Sequence, residues 1–227
     1  MPNKRKELKV EASLLWYLVG LITTDGNLSK DGRHVDITLK DREMLLKITK
    51  AAGLNNKVGI KMGGLGNVGY RIQISNVNFY NFLISVGLFP NKSLSLGKLA
   101  VPDKYFPHFL RGVIDGDGCI RSWIHSLNKR EQWSLRIYSG SRTFVNWLKN
   151  MIKMNIGACG KIYDNNKNRL GNALYVLKFG KMAARCILAR CYNGKWLSLD
   201  RKRKLANECT SSRVGWKTSR TVVVMPG

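Results

Sequence analysis

Asp25 and Asp117 are the residues of this sequence best placed to do chemistry. Each stands at the end of a nine-residue stretch of one pattern. Leu18-Val-Gly-Leu-Ile-Thr-Thr-Asp-Gly26 and Leu110-Arg-Gly-Val-Ile-Asp-Gly-Asp-Gly118 agree at Leu, Gly, Ile, Asp and Gly. On a helix Gly20 and Thr24 lie four apart, as do Gly112 and Gly116, so each stretch carries a stripe of small residues along which two helices can approach backbone to backbone. If the two helices pack there, with Gly20 and Gly112 at the interface, Asp25 and Asp117 come side by side. Adjacent carboxylates repel, and one takes up a proton unless a divalent cation sits between them. Hard oxygen ligands suit Mg²⁺, which keeps waters and takes phosphate oxygens. That is equipment for activating water against a phosphodiester. An acid at a helix C-terminus also faces the negative end of the macrodipole, so stability alone does not account for it. The plainer reading, Asp-Gly as a turn that ends a helix, serves for one copy and less well for two.

The elements that must position these acids read the same way twice, which predicts an α+β fold. Ser13 to Thr24 is apolar and uncharged, as a helix buried on most faces should be. After a turn at Lys30-Asp31-Gly32, Val35, Ile37 and Leu39 alternate with polar residues as in a strand. Met44, Leu45, Ile48 and Ala52 have helical spacing, a hairpin is expected from Lys57 to Ser75, and a helix from Phe79 to Val86. The second half predicts a helix over 109–116, strands near 119–125 and 132–139, and a helix over 143–154. Strands near 160–163 and 172–179 follow, then helices over 181–190 and 197–208. A second repeat supports duplication: Lys92-Ser-Leu-Ser-Leu96 and Lys195-Trp-Leu-Ser-Leu199 follow the two nonapeptides in the same order. The chain divides into a first repeat over 1–96, a linker over 97–104, a second repeat over 105–208 and a basic tail over 209–227.

Composition sets the partner class. With 227 residues, 39 Lys plus Arg against 14 Asp plus Glu, and a formal charge of +25, a compact state repels itself unless a polyanion neutralises it. Nucleic acid is the expected partner. The uncharged apolar run Ala12 to Thr24 is shorter than the roughly 20 residues of a spanning helix, so no membrane partner is expected. Charged residues interrupt the N-terminal stretch and no small-residue cleavage site follows, which speaks against secretion. Five cysteines, odd in number and without a C-x-x-C, read as thiols in an intracellular reducing compartment, whether cytoplasm or organelle.

Both nonapeptides resemble the LAGLIDADG motif of homing endonucleases, and two copies in one chain resemble the monomeric, pseudo-twofold members. The resemblance implies two αββαββα repeats whose saddle-shaped antiparallel sheets lie in successive major grooves of double-stranded DNA. It implies an intron-encoded, metal-dependent enzyme that hydrolyses both strands and leaves short 3′ overhangs. Asp25 and Asp117 match the metal-binding acids, joined by the backbone carbonyls of Thr24 and Gly116. Mg²⁺ is the implied metal, with Mn²⁺ substituting and Ca²⁺ binding without supporting cleavage. Lys92 and Lys195 fill the places of the lysines that polarise phosphate or water. The first copy departs from the pattern at Thr23 and Thr24 but keeps its acid. Where a polar residue often ends the second strand, this chain has Leu39 and Ser139, so the solvent network is expected to be asymmetric. The alternative is a non-cleaving relative of the same fold, an intron RNA maturase or a DNA-binding regulator, with intron RNA as a partner.

Base contacts should come from one parity of each strand. The candidates are Arg33, Asp36, Thr38, Lys61, Arg71 and Gln73 in the first half. In the second they are Arg121, Trp123, His125, Arg136, Tyr138, Lys161, Tyr163 and Lys178. Arg71 and Gln73 stand out because Arg pairs with guanine and Gln with adenine through two hydrogen bonds. Asp115 is read as a brace, since it faces away from Asp117 around the helix. Gly64-Leu-Gly-Asn-Val-Gly69 matches G-x-G-x-x-G but precedes a strand, so it is read as a hairpin loop and not a dinucleotide site. His34, His108 and His125 stand apart from one another, which disfavours a histidine-based metal site.

Overall fold

A computed structural model describes residues 10–63, 66–165, 171 and 173–212. Of the tail expected over 209–227, residues 209–211 belong instead to the last helix, and residues 213–227, with residues 64 and 65 of the glycine-rich loop, lie outside the described residues. The first half runs α1 (Ala12–Asp25), β1 (Gly26–Leu28), β2 (His34–Leu39), α2 (Arg42–Ala51), β3 (Gly59–Met62), β4 (Val68–Ser75) and α3 (Val77–Val86). The second runs α4 (Phe106–Asp117), β5 (Gly118–Ile124), β6 (Glu131–Ser139), α5 (Arg142–Ile156), β7 (Lys161–Asn165), β8 (Leu174–Phe179), α6 (Lys181–Tyr192) and α7 (Asp200–Ser211). Both halves are αββαββα, and both sheets are antiparallel with the same order, β1-β2-β4-β3 and β5-β6-β8-β7. Helix α7 is the exception, because the first half has only a 3-10 turn at Lys92–Leu94 in its place.

Local chemistry fixes the ends of these elements. Asp41, Asn76 and Ser141 each accept a bond from the backbone N–H three residues on, capping α2, α3 and α5. Pro107 lies in the first turn of α4, where its missing N–H costs nothing. Helix α1 is buried along nearly its whole length, as its lack of charge requires.

The core is one continuous cluster spanning both halves, with α1 against α4 at its centre. A side chain at Gly20 would strike the carbonyl of Phe109, and one at Gly112 the carbonyl of Tyr17. The small-residue stripe therefore works as expected, with the two helices in backbone contact. Among the described residues no helix is long and apolar enough to cross a membrane.

Candidate metal and nucleic-acid site

Because α1 and α4 are in register at their glycines, they end together, and Asp25 and Asp117 are their last residues. The Asp25 carboxylate lies against the backbone of Gly116, where a side chain would come within 2.7 Å of Oδ2 and strike Thr24 Oγ1. Burial pushes the Asp25 carboxyl up to about 7, and repulsion from Asp117 adds to this, while Lys202, Arg201 and Lys92 pull it down. Burial also raises Asp117, with Lys202 and Lys92 opposing. Asp117 is the more exposed residue of the two.

Each acid has a buried lysine behind it. Lys92, 4% exposed, donates to the carbonyl of Gly26. Lys202, also 4% exposed, donates to the carbonyls of Gly118 and, at 3.2 Å, Ile114. Gly26 and Gly118 are the same position of the two nonapeptides, so Lys92 and Lys202 are counterparts. Burial holds Lys92 down to about 8 although Asp117 and Asp25 pull it up. Burial, then Arg201, lowers Lys202.

The pairing of Lys195 with Lys92 is thereby corrected. Lys195 is exposed in the loop between α6 and α7 and is not among the cations acting on either acid. The likeness of the two lysine segments misleads because α7 follows the second one and delivers its own lysine one turn later. Lys202 lies within four consecutive cations, Arg201 to Lys204, so charge does not single it out. Helical phase does: Lys202, Ala206 and Cys209, at i, i+4 and i+7, are the buried stripe of α7.

Asp115, 1% exposed, accepts hydrogen bonds from Tyr17 Oη at 2.9 Å, Tyr192 Oη at 2.6 Å and the Leu199 N–H at 2.9 Å. It is a brace that ties α1, α6 and the start of α7 to α4. The hydroxyls of Thr23 and Thr24 turn back and donate to the carbonyls of Val19 and Leu21. The donor set is therefore oxygen alone: two carboxylates and the unpaired carbonyls of two helix ends, including those of Thr24 and Gly116. Among the described residues no group of three His, Cys, Asp or Glu gathers anywhere. Such a set fits a hard cation that keeps waters and shares phosphate oxygens, and does not fit a soft metal.

The strands carry the remaining candidates. Cross-strand partners share a face, so Asp36 opposite Gln73 and Thr38 opposite Arg71 put four of them on one surface, with Lys61 beside them. Arg71 Nε lies 3.9 Å from Asp36 Oδ1. Arg33 precedes β2 and is of the other parity; His34 holds the strand position assigned to it. In the second sheet Arg136 faces Lys178 and Lys178 faces Lys161, while Tyr138 and Tyr163 both face Val176. Arg121 and Trp123 share that surface, opposite Ser134 and Gln132. His125 lies just beyond β5 in the hairpin turn. Asn27, opposite Asp36, and Gln132 and Ser134 belong to the same surfaces. Asn27 escaped notice because β1 is only three residues long, whereas Gln132 and Ser134 alternate with Trp133 and Leu135 and are legible by the same parity rule. Asp36 Oδ1, Ser134 Oγ and Arg136 Nε are buried on these surfaces without a hydrogen-bond partner in the protein, which is costly unless a polar ligand meets them. A cleft joins Asp25 to the first sheet, lined by Asp25, Gly116, Arg201, Thr38, Lys40 and Lys61.

No protein-family model matches the chain, and no curated protein matches it in sequence. Solved structures do match in fold. The homing endonuclease I-WcaI bound to its DNA recognition sequence superposes with a TM-score of 0.63, over 91% of this chain and 94% of that one, at 14% identity. The LAGLIDADG homing endonuclease I-GzeII in complex with its DNA target gives 0.57, over 89% of each chain, at 12% identity. Full-length WhiA from Thermatoga maritima gives 0.55 over 87% of this chain at 15% identity, and this chain spans 59% of its length. The fold is that of the LAGLIDADG proteins, with two four-stranded sheets and helices in a repeated pattern.

Proposed function

We propose that this chain, built on the LAGLIDADG fold, is a monomeric, divalent-metal-dependent endonuclease that binds a long double-stranded DNA site and cuts both strands. The observation that carries the reading is the acid pair at the ends of α1 and α4, with a buried lysine behind each acid and cationic sheet surfaces on either side. A pure binder gains nothing from acids placed beside phosphates.

In this reading Asp25 and Asp117, with the carbonyls of Thr24 and Gly116, hold the metal, Mg²⁺ or Mn²⁺. When bound, the metal supplies Lewis acidity and a water of lowered pKa next to the scissile phosphate. Lys92 and Lys202 hold the helix-end carbonyls in place and add positive charge where the phosphorane charge develops. Arg201, on the cleft wall, is placed to meet a phosphate on the Asp25 side. The row Arg136, Lys178 and Lys161 stands ready for the phosphate backbone, because like charges directly opposite one another oppose folding until an anion screens them. Arg71, Gln73, Asp36 and Thr38 face the base edges.

The likeness to WhiA as well as to DNA-bound endonucleases supports a second reading, a DNA-binding regulator of the same fold that does not cut. One experiment separates them. A randomised duplex library is incubated with Mg²⁺ and with Ca²⁺, using the parent, Asp25→Asn and Asp117→Asn. Discrete double-strand breaks that need Mg²⁺ and vanish in both variants support the endonuclease, whereas enrichment of a sequence without breaks supports the regulator.

A further inference from the structure

The loop between α6 and α7 is built in an unusual way for a surface connection. Arg203 donates to the carbonyls of Tyr192 at 3.1 Å, Gly194 at 2.9 Å and Trp196, and to Ser198 Oγ at 2.9 Å. From the other side buried Arg111 donates to the carbonyls of Cys191 at 3.0 Å and Leu197 at 2.9 Å. Two guanidiniums thus hold five of the carbonyls between residues 191 and 197 toward the protein. A backbone so fixed turns its outer side, with Asn193, Lys195 and Trp196, to solvent. Gly194 adopts a left-handed conformation, φ +85°, in the middle of it. Lys195, which the catalytic site does not use, belongs to this loop.

Trp196, 40% exposed, stands edge-on to His108 with ring centroids 4.8 Å apart, at the mouth of a second cleft. The cleft is lined by Lys104, His108, Arg190, Asn155, Asn193 and Trp196, with Arg111 at its floor. His108 Nδ1 lies 3.2 Å from Arg111 Nη1 and accepts from it. Two carboxylates act at the cleft: Asp103 accepts from Asn155 Nδ2 at 3.1 Å, and Glu11 acts on His108. The cleft opens at the N-terminal end of α4, whereas Asp117 is at its C-terminal end, about 14 Å away along the helix axis at the standard rise. It lies at the pole of the molecule remote from the acids, and the first half has no equivalent because it lacks α7.

We propose that this cleft is a second nucleic-acid site, for a single strand with at least one unstacked base. The indole of Trp196 is 40% exposed, Lys104 and Arg190 line the cleft with it, exposed Lys195 is its neighbour in the chain, and Asn193 and the Asn155 Oδ1 offer amide groups for base edges. Aromatic ring plus cations plus amides is the chemistry of single-strand recognition; a stacked duplex presents no base face to a ring. This inference is independent of the cleavage reading, since it uses none of Asp25, Asp117, Lys92 or Lys202.

The test is fluorescence anisotropy of the full chain with labelled oligouridylate and oligothymidylate of about 12 nucleotides, with and without excess duplex of about 30 base pairs. Single strands are expected to bind in the presence of the duplex. Trp196→Ala and the double variant Lys104→Glu, Arg190→Glu should each weaken that binding about tenfold or more while duplex binding stays unchanged, and Trp196→Phe should retain it. Tighter binding of oligouridylate assigns RNA as the source, and equal binding assigns any single strand. Displacement of the oligonucleotide by duplex, or affinity indifferent to all three substitutions, overturns the proposal. Loss of duplex and single-strand binding together overturns it too.

Discussion

Lys92 and Lys202 make the same bond in the two halves, each to the carbonyl of the glycine that follows a helix-ending aspartate, Gly26 for the first and Gly118 for the second. They reach it from unlike elements, a 3-10 turn and the first turn of α7. The equivalence is one of space, not of aligned sequence. It makes Lys202, and not Lys195, the partner of Lys92 in the proposed reaction.

Substituting these lysines is the sharpest check of that assignment. Lys92→Met and Lys202→Met should each lower the cleavage rate by about 10² to 10³, the usual cost of removing one preorganised electrostatic group. Lys195→Ala should change it less than about twofold, as an exposed side chain outside the site. Rates on a selected duplex, with melting curves for each variant, decide the matter. A large loss at Lys195 with none at Lys202 would restore the assignment by sequence alignment.

The acid pair predicts a pH dependence of stability. Asp25 titrates at about 7 in the fold against an ordinary 3.8, so between those values the folded chain holds a proton that the unfolded chain releases. Stability of the metal-free protein must then fall as pH rises from about 4 to 7. Asp25→Asn should reduce this slope, leaving the contributions of Asp115 and Asp117, whose carboxyls burial also raises. In chelator at pH 8 the variant should melt on the order of 10 °C above the parent, and at pH 4 the difference should close. Added divalent cation should raise the parent's Tm at pH 8 and not the variant's, and that gain should shrink as the pH drops below 7.

At the seam of α1 and α4 the backbones touch, so there is no room for a methyl group. Gly20→Val and Gly112→Val should each cost on the order of 3 kcal/mol, with Gly116→Ala displacing Thr24 and Asp25 as well. Denaturant unfolding checks the first two. Metal affinity at a temperature where Gly116→Ala remains folded checks the third, and unchanged affinity would mean that the seam does not position the acids.

On the second sheet, Lys178 stands between Arg136 and Lys161. Lys178→Gln should lower the slope of log affinity against log salt by about 1 and weaken duplex binding evenly across sequences, as loss of one phosphate contact does. It should leave the free protein no less stable, because it relieves repulsion across the strands. Arg71→Gln should instead relax preference at one base position, measured by selection from a randomised duplex pool.

Repetition and periodicity made much of this molecule legible in advance. The spacing of Gly20 and Gly112 specified a close helix pair, and alternation of apolar residues set which side of most strands faces outward, because both are local consequences of chain geometry. Local pattern also explains the misses: Arg33 and His125 fall just outside the strands, where parity ceases to apply. The role of Lys202 depended on the tertiary structure, since burial of one lysine among four adjacent cations is set by what α7 packs against. So did the brace at Asp115, whose partners Tyr17, Tyr192 and Leu199 are 77 to 98 residues away in the chain. Sequence by itself determined which elements form and which acids they end in. Which cation stands behind each acid, and which loop turns away to form a second cleft, was decided by long-range packing of α7, an element with no counterpart in the first repeat.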